Sequence, residues 1–228
     1  MTPRLLVSVR DVDEALAAAD AGADFIDLKE PSAGALGALS PARIAVIVDV
    51  LRARDPARTL SATTGDWPPG HHEGLLGCVG VVASCGVDYV KVGIAPGRTA
   101  PRLVRALAAT GVPVVPVLLA DAGVDERALD AALSHEAFPA VMLDLAEKRA
   151  GSLFDRVDTR SLGRFVRAVQ RSGRLAGVAG ALRLADLPAI RDLAPDFAGF
   201  RSAVCAGSRT GTLDGARVRQ LREQLRDR

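Results

Sequence analysis

The chain has 228 residues, 49% of them hydrophobic, and a formal net charge of +2. That length suits one barrel-sized domain with a full core. So mild a charge, evenly spread, argues against nucleic acid or a membrane surface as a partner. The first apolar run, residues 5–9, is too short for a secretory signal and ends at Arg10 and Asp11. The longest apolar run, near 114–120, is far below a membrane span. Three cysteines, odd in number and without CxxC spacing, predict a reduced, cytoplasmic protein.

Strand-type runs alternate with amphipathic stretches along the chain. LLVSV (5–9) is followed by VDEALAAADAG (12–22), and FIDLK (25–29) by PARIAVIVDVLRAR (41–54). TLSATT (59–64) precedes HEGLLGCVGVVASCG (72–86), the weakest helical pattern because of Gly77 and Gly80. DYVKVG (88–93) precedes PRLVRALAATG (101–111), and PVVPVLL (113–119) precedes DERALDAALS (125–134). AVMLDLA (140–146) precedes RSLGRFVRAVQRSG (160–173). LAGVAG (175–180) turns through GVAGALR (177–183) into a helix, and FAGFRS (197–202) precedes GARVRQLREQLRD (215–227). Gly22, Gly86, Gly111 and Gly173 sit where helices should stop. Eight strands alternating with eight helical segments predict a single-domain (β/α)8 TIM barrel over residues 1–228, with a doubly wound open sheet as the alternative. AGADFIDLKEP (21–31) also echoes SCGVDYVKVGIAP (84–96), and aligning Gly22 with Gly86 sets Asp27 against Lys91.

The basic residues single out a few positions. Of 29, all but Lys29, Lys91 and Lys148 are arginine. In an arginine-rich, GC-biased chain, a surviving lysine marks a place where arginine cannot serve. Lysine can lose its proton and act as base or nucleophile, and arginine in effect cannot. Alternation places these lysines. In FIDLK, Phe25, Asp27 and Lys29 share one face and Ile26 and Leu28 the other. A barrel needs its helix-facing side apolar, so Asp27 and Lys29 point into the lumen. Tyr89 and Lys91 follow on the fourth strand, and Asp144 on the sixth. Lys148 lies just past that strand, and Arg201 at the mouth after the eighth. All come from even-numbered strands, whose side chains can share a barrel layer near the catalytic face.

A buried lysine beside another cation has a lowered pKa, because each charge disfavours the other. A neutral amine can attack a carbonyl and form a Schiff base. Asp27 and Asp144 balance charge and can move protons. The bland alternative is a buried salt-bridge cluster with no chemistry, a weak stabiliser. The last two loops suggest a phosphate site built from Gly180, Ala181, Arg201 and Ser202. Small residues let backbone N–H groups approach an anion, a helix start favours it, and Arg201 can add a bidentate contact. His71, His72 and Glu73 lack supporting ligand spacing, so no metal is expected.

The stretches 5–39, LSATTGD (60–66), GVDYVKVG (86–93), VMLDLAEK (141–148), GVAGALR (177–183) and GFRSAVC (199–205) carry a resemblance. Over nearly its whole length the chain resembles the (5-formylfuran-3-yl)methyl phosphate synthases, also called 4-(hydroxymethyl)-2-furancarboxaldehyde-phosphate synthases, of methanofuran biosynthesis. The resemblance implies a (β/α)8 barrel lyase that joins two molecules of glyceraldehyde 3-phosphate, with loss of phosphate and water and no cofactor. It assigns the Schiff-base lysine to Lys29 and a proton acceptor to Lys91, with Asp27, Asp144 and Lys148 beside them. The family pattern has Gly where this chain has Ser202 and Ser where it has Ala181. A small-molecule substrate, no nucleic acid, no membrane and a homo-oligomer are the expected associations. The competing readings are another Schiff-base barrel aldolase acting on a sugar phosphate, and a non-catalytic barrel that binds a phosphorylated metabolite.

Overall fold

The apolar alternation read from the sequence becomes eight short strands. They are β1 (Arg4–Val9), β2 (Phe25–Leu28), β3 (Thr59–Thr63), β4 (Tyr89–Ile94), β5 (Val114–Leu119), β6 (Ala140–Asp144), β7 (Leu175–Val178) and β8 (Phe197–Phe200). The structure, a computed structural model, describes residues 2–226 except 69 and 150. Each strand pairs in parallel with the next, and β8 closes on β1 through Arg4 opposite Phe197. The expected single-domain (β/α)8 barrel is the fold; residue 227, the expected end of the last helix, lies outside the described residues.

The outer layer comprises α1 (Val12–Asp20), α2 (Pro41–Arg54), α3 (His72–Ala83), α4 (Ala100–Ala108), α5 (Glu126–Leu133), α6 (Leu153–Arg156), α7 (Thr159–Arg171), α8 (Leu187–Leu193) and α9 (Gly215–Arg226). Carboxylates open several of them: the Asp11 side chain accepts from Glu14 N at 2.9 Å, and the Asp158 side chain from Ser161 N at 2.9 Å. Gly22 and Gly86 follow α1 and α3 with φ of +87° and +86°, a conformation that costs glycine little. α3 tolerates Gly77 and Gly80 because both face solvent, while Leu75, Val79 and Val82 anchor its inner face. Among the described residues no helix is long and apolar enough to cross a membrane.

One connection differs from the sequence reading. Residues 177–183 do not turn straight into an α-helix. A 3-10 turn at Leu184–Asp186 intervenes, and α8 begins only at Leu187. Pro188 lacks an N–H and is tolerated only in a first turn, which fixes the late start. The N-terminus of α8 therefore lies beyond Gly180 and Ala181 rather than at them.

Packing divides into two layers. Ile26, Leu28, Val90 and Val92 join the large core between strands and helices. A smaller cluster of Leu6, Val115, Val117, Met142 and Phe197 fills the lumen. Leu36, from the loop joining β2 to α2, dips into this lumen cluster and is fully buried.

The C-terminal end of the barrel is tied by one buried ion pair. Arg201 bonds to both carboxylate oxygens of Glu14 on α1, with Nη2 to Oε1 at 3.0 Å and Nη1 to Oε2. Its Nη1 also donates to Ser8 O at 3.1 Å, Nε to Arg209 O at 2.8 Å and Nη2 to Gly211 O at 2.9 Å. Arginine has five N–H donors, and all five are used. Removing Arg201 leaves the buried Glu14 carboxylate with only the partly exposed Arg10 as a cation, whose Nε lies 3.3 Å from Oε1. Arg201→Ala is expected to cost about 3–5 kcal/mol in a denaturant titration; a loss below about 1 kcal/mol would show that this tie does not hold the end of the barrel together.

Candidate active site

Alternation along the strands, set by the outer helices, delivers the charged residues to the lumen. Ser8, Asp27 and Ser61 stand level on β1, β2 and β3. Asp27 is fully buried. Its Oδ2 accepts from Ser8 Oγ at 3.1 Å and lies 3.1 Å from Lys91 Nζ, while Oδ1 accepts from Ser61 Oγ at 2.7 Å. The two residues matched by the internal echo, Asp27 and Lys91, thus form an ion pair across β3. Burial alone would push the Asp27 carboxyl up. The charges of Lys91 and Lys29, with the Ser61 and Lys91 hydrogen bonds, outweigh it and hold the group ionised below its usual range.

A second pair sits at the mouth. Lys148 Nζ bonds to Asp144 Oδ1, and Asp144 also accepts from Leu145 N at 2.7 Å. Burial again opposes the Asp144 charge, and Lys148 and Lys29 overcome it, so this carboxyl also titrates low. Lys148 is pulled down by burial; Asp144 offsets part of that, and Arg209 and Lys91 add to it.

Lys29 is the amine left over. Its Nζ donates to the carbonyl of Ala35 at 3.0 Å, and among the described residues no carboxylate lies within ion-pair distance of it. Burial disfavours its charge most, and the Lys148 charge adds to that. Asp144 and Asp27 compensate only in part. Its pKa is pushed from 10.5 down to about 7. Near neutral pH a large fraction is therefore the free amine, the form able to attack a carbonyl.

These groups face one cleft at the C-terminal end of the barrel. It is lined by Lys29, Lys91, Asp144, Lys148, Gly180, Ala181, Arg201, Ser202 and Arg209, among others. Every candidate from the sequence lines it except Asp27, which sits behind Lys91. Gly180 and Ala181 both have positive φ, +114° and +49°, and Gly180 O accepts from Leu153 N at 2.8 Å. For alanine the left-handed conformation costs about 1 kcal/mol, strain held in the loop that faces the cleft. Arg201 needs a correction. The sequence expects a bidentate phosphate contact from it, but its five donors are committed to Glu14 and three carbonyls.

Sequence reasoning missed Ser8, Ser61, Glu14 and Arg209. The serines were within reach, because LLVSV and TLSATT alternate polar residues onto the lumen face. Glu14 reads as an ordinary acidic residue in a first helical turn. Arg209 lies in a loop with no periodicity to place it.

Eight parallel strands, a lumen holding two lysine–aspartate pairs and a third lysine of lowered pKa define a class: a (β/α)8 barrel with an amine-bearing pocket at the usual catalytic face. Comparison with known proteins narrows it. The chain belongs to the 4-HFC-P synthase family, whose match runs over residues 5–222. It is 36% identical to the (5-formylfuran-3-yl)methyl phosphate synthase of Methanopyrus kandleri, covering 99% of this chain and 100% of that one. It is 32% identical to the protein of that name in Archaeoglobus fulgidus, over 97% and 99% of the two chains. A Methylorubrum extorquens protein, named provisionally for the same activity, is 39% identical over 98% of this chain and 92% of its own. Among solved structures, phosphoribosylanthranilate isomerase of Thermotoga maritima shares the fold, with a TM-score of 0.63 at 18% identity over 99% and 100% of the chains.

The electrostatics predict how the site responds to a change beside Lys29. In Lys148→Met a neighbouring cation is gone and Asp144 is left free to attract the Lys29 proton. The pH midpoint of Lys29 modification by an amine-reactive label, mapped by mass spectrometry, is expected to move from about 7 toward 10.5. An unchanged midpoint would mean that burial alone sets it.

Proposed function

We propose that the protein is a lyase-type synthase that joins two molecules of glyceraldehyde 3-phosphate into (5-formylfuran-3-yl)methyl phosphate, a step of methanofuran biosynthesis, through an imine on Lys29. The observation that carries the mechanism is the unpaired Lys29 amine, held near neutrality between two lysine–aspartate pairs. Family membership supports the product and the pathway.

The neutral Lys29 amine adds to the aldehyde carbon of one triose and water leaves, giving the imine. The imine acidifies the adjacent carbon. Lys91 takes that proton while passing one of its own to the Asp27 carboxylate, and the resulting enamine expels the phosphate from the third carbon. The second triose, isomerised to its ketone by transfer of its C2 proton to C1, is joined at that ketone carbon; its C1 hydroxyl closes the ring onto the carbon next to the imine, and loss of two waters gives the furan. Overall one phosphate and two waters leave. Asp144 and Lys148, at the mouth, are placed for the remaining proton transfers. The backbone at Gly180, Ala181 and Ser202 borders the cleft where a substrate phosphate would lie. The chemistry needs no cofactor, because the protonated imine is itself the electron sink.

Incubation with glyceraldehyde 3-phosphate and borohydride should fix one adduct, on Lys29, and turnover should produce an ultraviolet-absorbing furan. Lys29→Arg should lower turnover on the order of 10⁴-fold while the chain stays folded. No adduct on Lys29, or full activity in Lys29→Arg, would sink the mechanism. An adduct without furan would point instead to an aldolase of different product.

A further inference from the structure

We infer that Arg209 is the guanidinium that receives the substrate phosphate at the barrel mouth, and that Arg201 instead holds the segment carrying it in place. The identity of the ligand as a phosphorylated triose rests on the function proposed above; the division of labour between the two arginines rests on geometry alone.

Both arginines line the same cleft, beside Lys29 and Lys148. They differ in what they have left to give. Arg201 is buried, and Glu14 with three backbone carbonyls takes all its donors. Arg209 is half-buried. Its Nη2 donates to Gly34 O at 2.8 Å, and among the described residues its Nε and Nη1 have no hydrogen-bond partner. Nη2 has a second hydrogen, which with Nε–H or Nη1–H leaves one edge for the forked contact that arginine makes with a phosphate. One of Arg201's own bonds, Nε to Arg209 O, fixes the backbone from which the Arg209 side chain reaches the cleft.

Charge points the same way. Around the cleft, Lys148 and Arg209 face one lining carboxylate, that of Asp144, beside the largely neutral Lys29 amine. Two further acids lie near Arg209: the Asp66 carboxylate is engaged by the amides of Ala35 and Leu36 at 2.7 and 3.1 Å, and the exposed Glu147 accepts from Arg149 N at 2.8 Å. A half-desolvated cationic surplus favours an anionic ligand, and a phosphate dianion meets it. The position is also suited to the proposed reaction. Arg209 holds Gly34 O while Lys29 holds the next carbonyl, Ala35 O. A triose phosphate spanning the two residues would engage both groups that grip the β2–α2 loop.

The test compares two aldehydes on the intact protein. Borohydride trapping on Lys29 is measured with glyceraldehyde 3-phosphate and with unphosphorylated glyceraldehyde, in the wild type and in Arg209→Gln. The loss in trapping efficiency with the phosphorylated aldehyde should exceed that with glyceraldehyde by about 10- to 100-fold. Calorimetric titration with inorganic phosphate should show weaker binding in Arg209→Gln, partly restored in Arg209→Lys. Equal losses with both aldehydes and unchanged phosphate binding would overturn the inference and leave Arg209 as a loop latch. If the wild type forms no adduct with either aldehyde, the imine reading fails. The phosphate titration then still decides Arg209: weaker binding in the variant supports it, and equal binding refutes it.

Discussion

Three amines and two carboxylates share a lumen with almost no access to water, and everything else follows from how that charge is apportioned. Taking an ion out of water is costly, and pairing recovers the cost only where geometry is good. Asp27 pairs with Lys91 and Asp144 pairs with Lys148. The count leaves one amine over. Lys29 has only the Ala35 carbonyl, so the cheapest response to its burial is to shed a proton. A reactive amine at neutral pH is thus a consequence of gathering three lysines and two aspartates toward one end of the barrel. The serines of β1 and β3 complete the arrangement by fixing the Asp27 carboxylate beside Lys91.

The barrel supplies what such an arrangement requires. Parallel strands packed under helices exclude water on the outer face and direct alternate side chains inward. The apolar lumen cluster beneath the charges keeps the local dielectric low, and Leu36 closes the side toward the β2–α2 loop. The mouth is held by the Glu14–Arg201 tie, which joins the first helix to the loop after the last strand. Stability and reactivity therefore rest on different ion pairs. One pair holds the ring closed; the others set the protonation of Lys29.

Much of this was legible in the chain. Period-two alternation in FIDLK and DYVKVG placed Asp27, Lys29 and Lys91 in the lumen, because a barrel strand has only two faces and one must be apolar. The scarcity of lysine in an arginine-rich sequence marked the same residues independently. The illegible parts depend on contacts far apart in sequence. Arg201 reads as a free cation at a strand end, and only the fold brings Glu14 to it from 187 residues away. The turn after β7 reads as a helix start, but Pro188 delays the helix, which leaves Gly180 and Ala181 in a loop of positive φ. Arg209 carries no local signal, since its position is fixed by a bond from Arg201 and another to Gly34.

The central claim is the protonation state of Lys29, and the chain is suited to a direct measurement of it. Labelling lysine at Cε with carbon-13 gives three side-chain signals, because the sequence has three lysines. The Lys29 signal is assigned by its loss in Lys29→Arg. It should titrate with a midpoint near 7, as the buried amine sheds its proton. A Lys29 signal that titrates near 10.5 would contradict the account, since the amine would then be charged at neutral pH and unable to begin the chemistry.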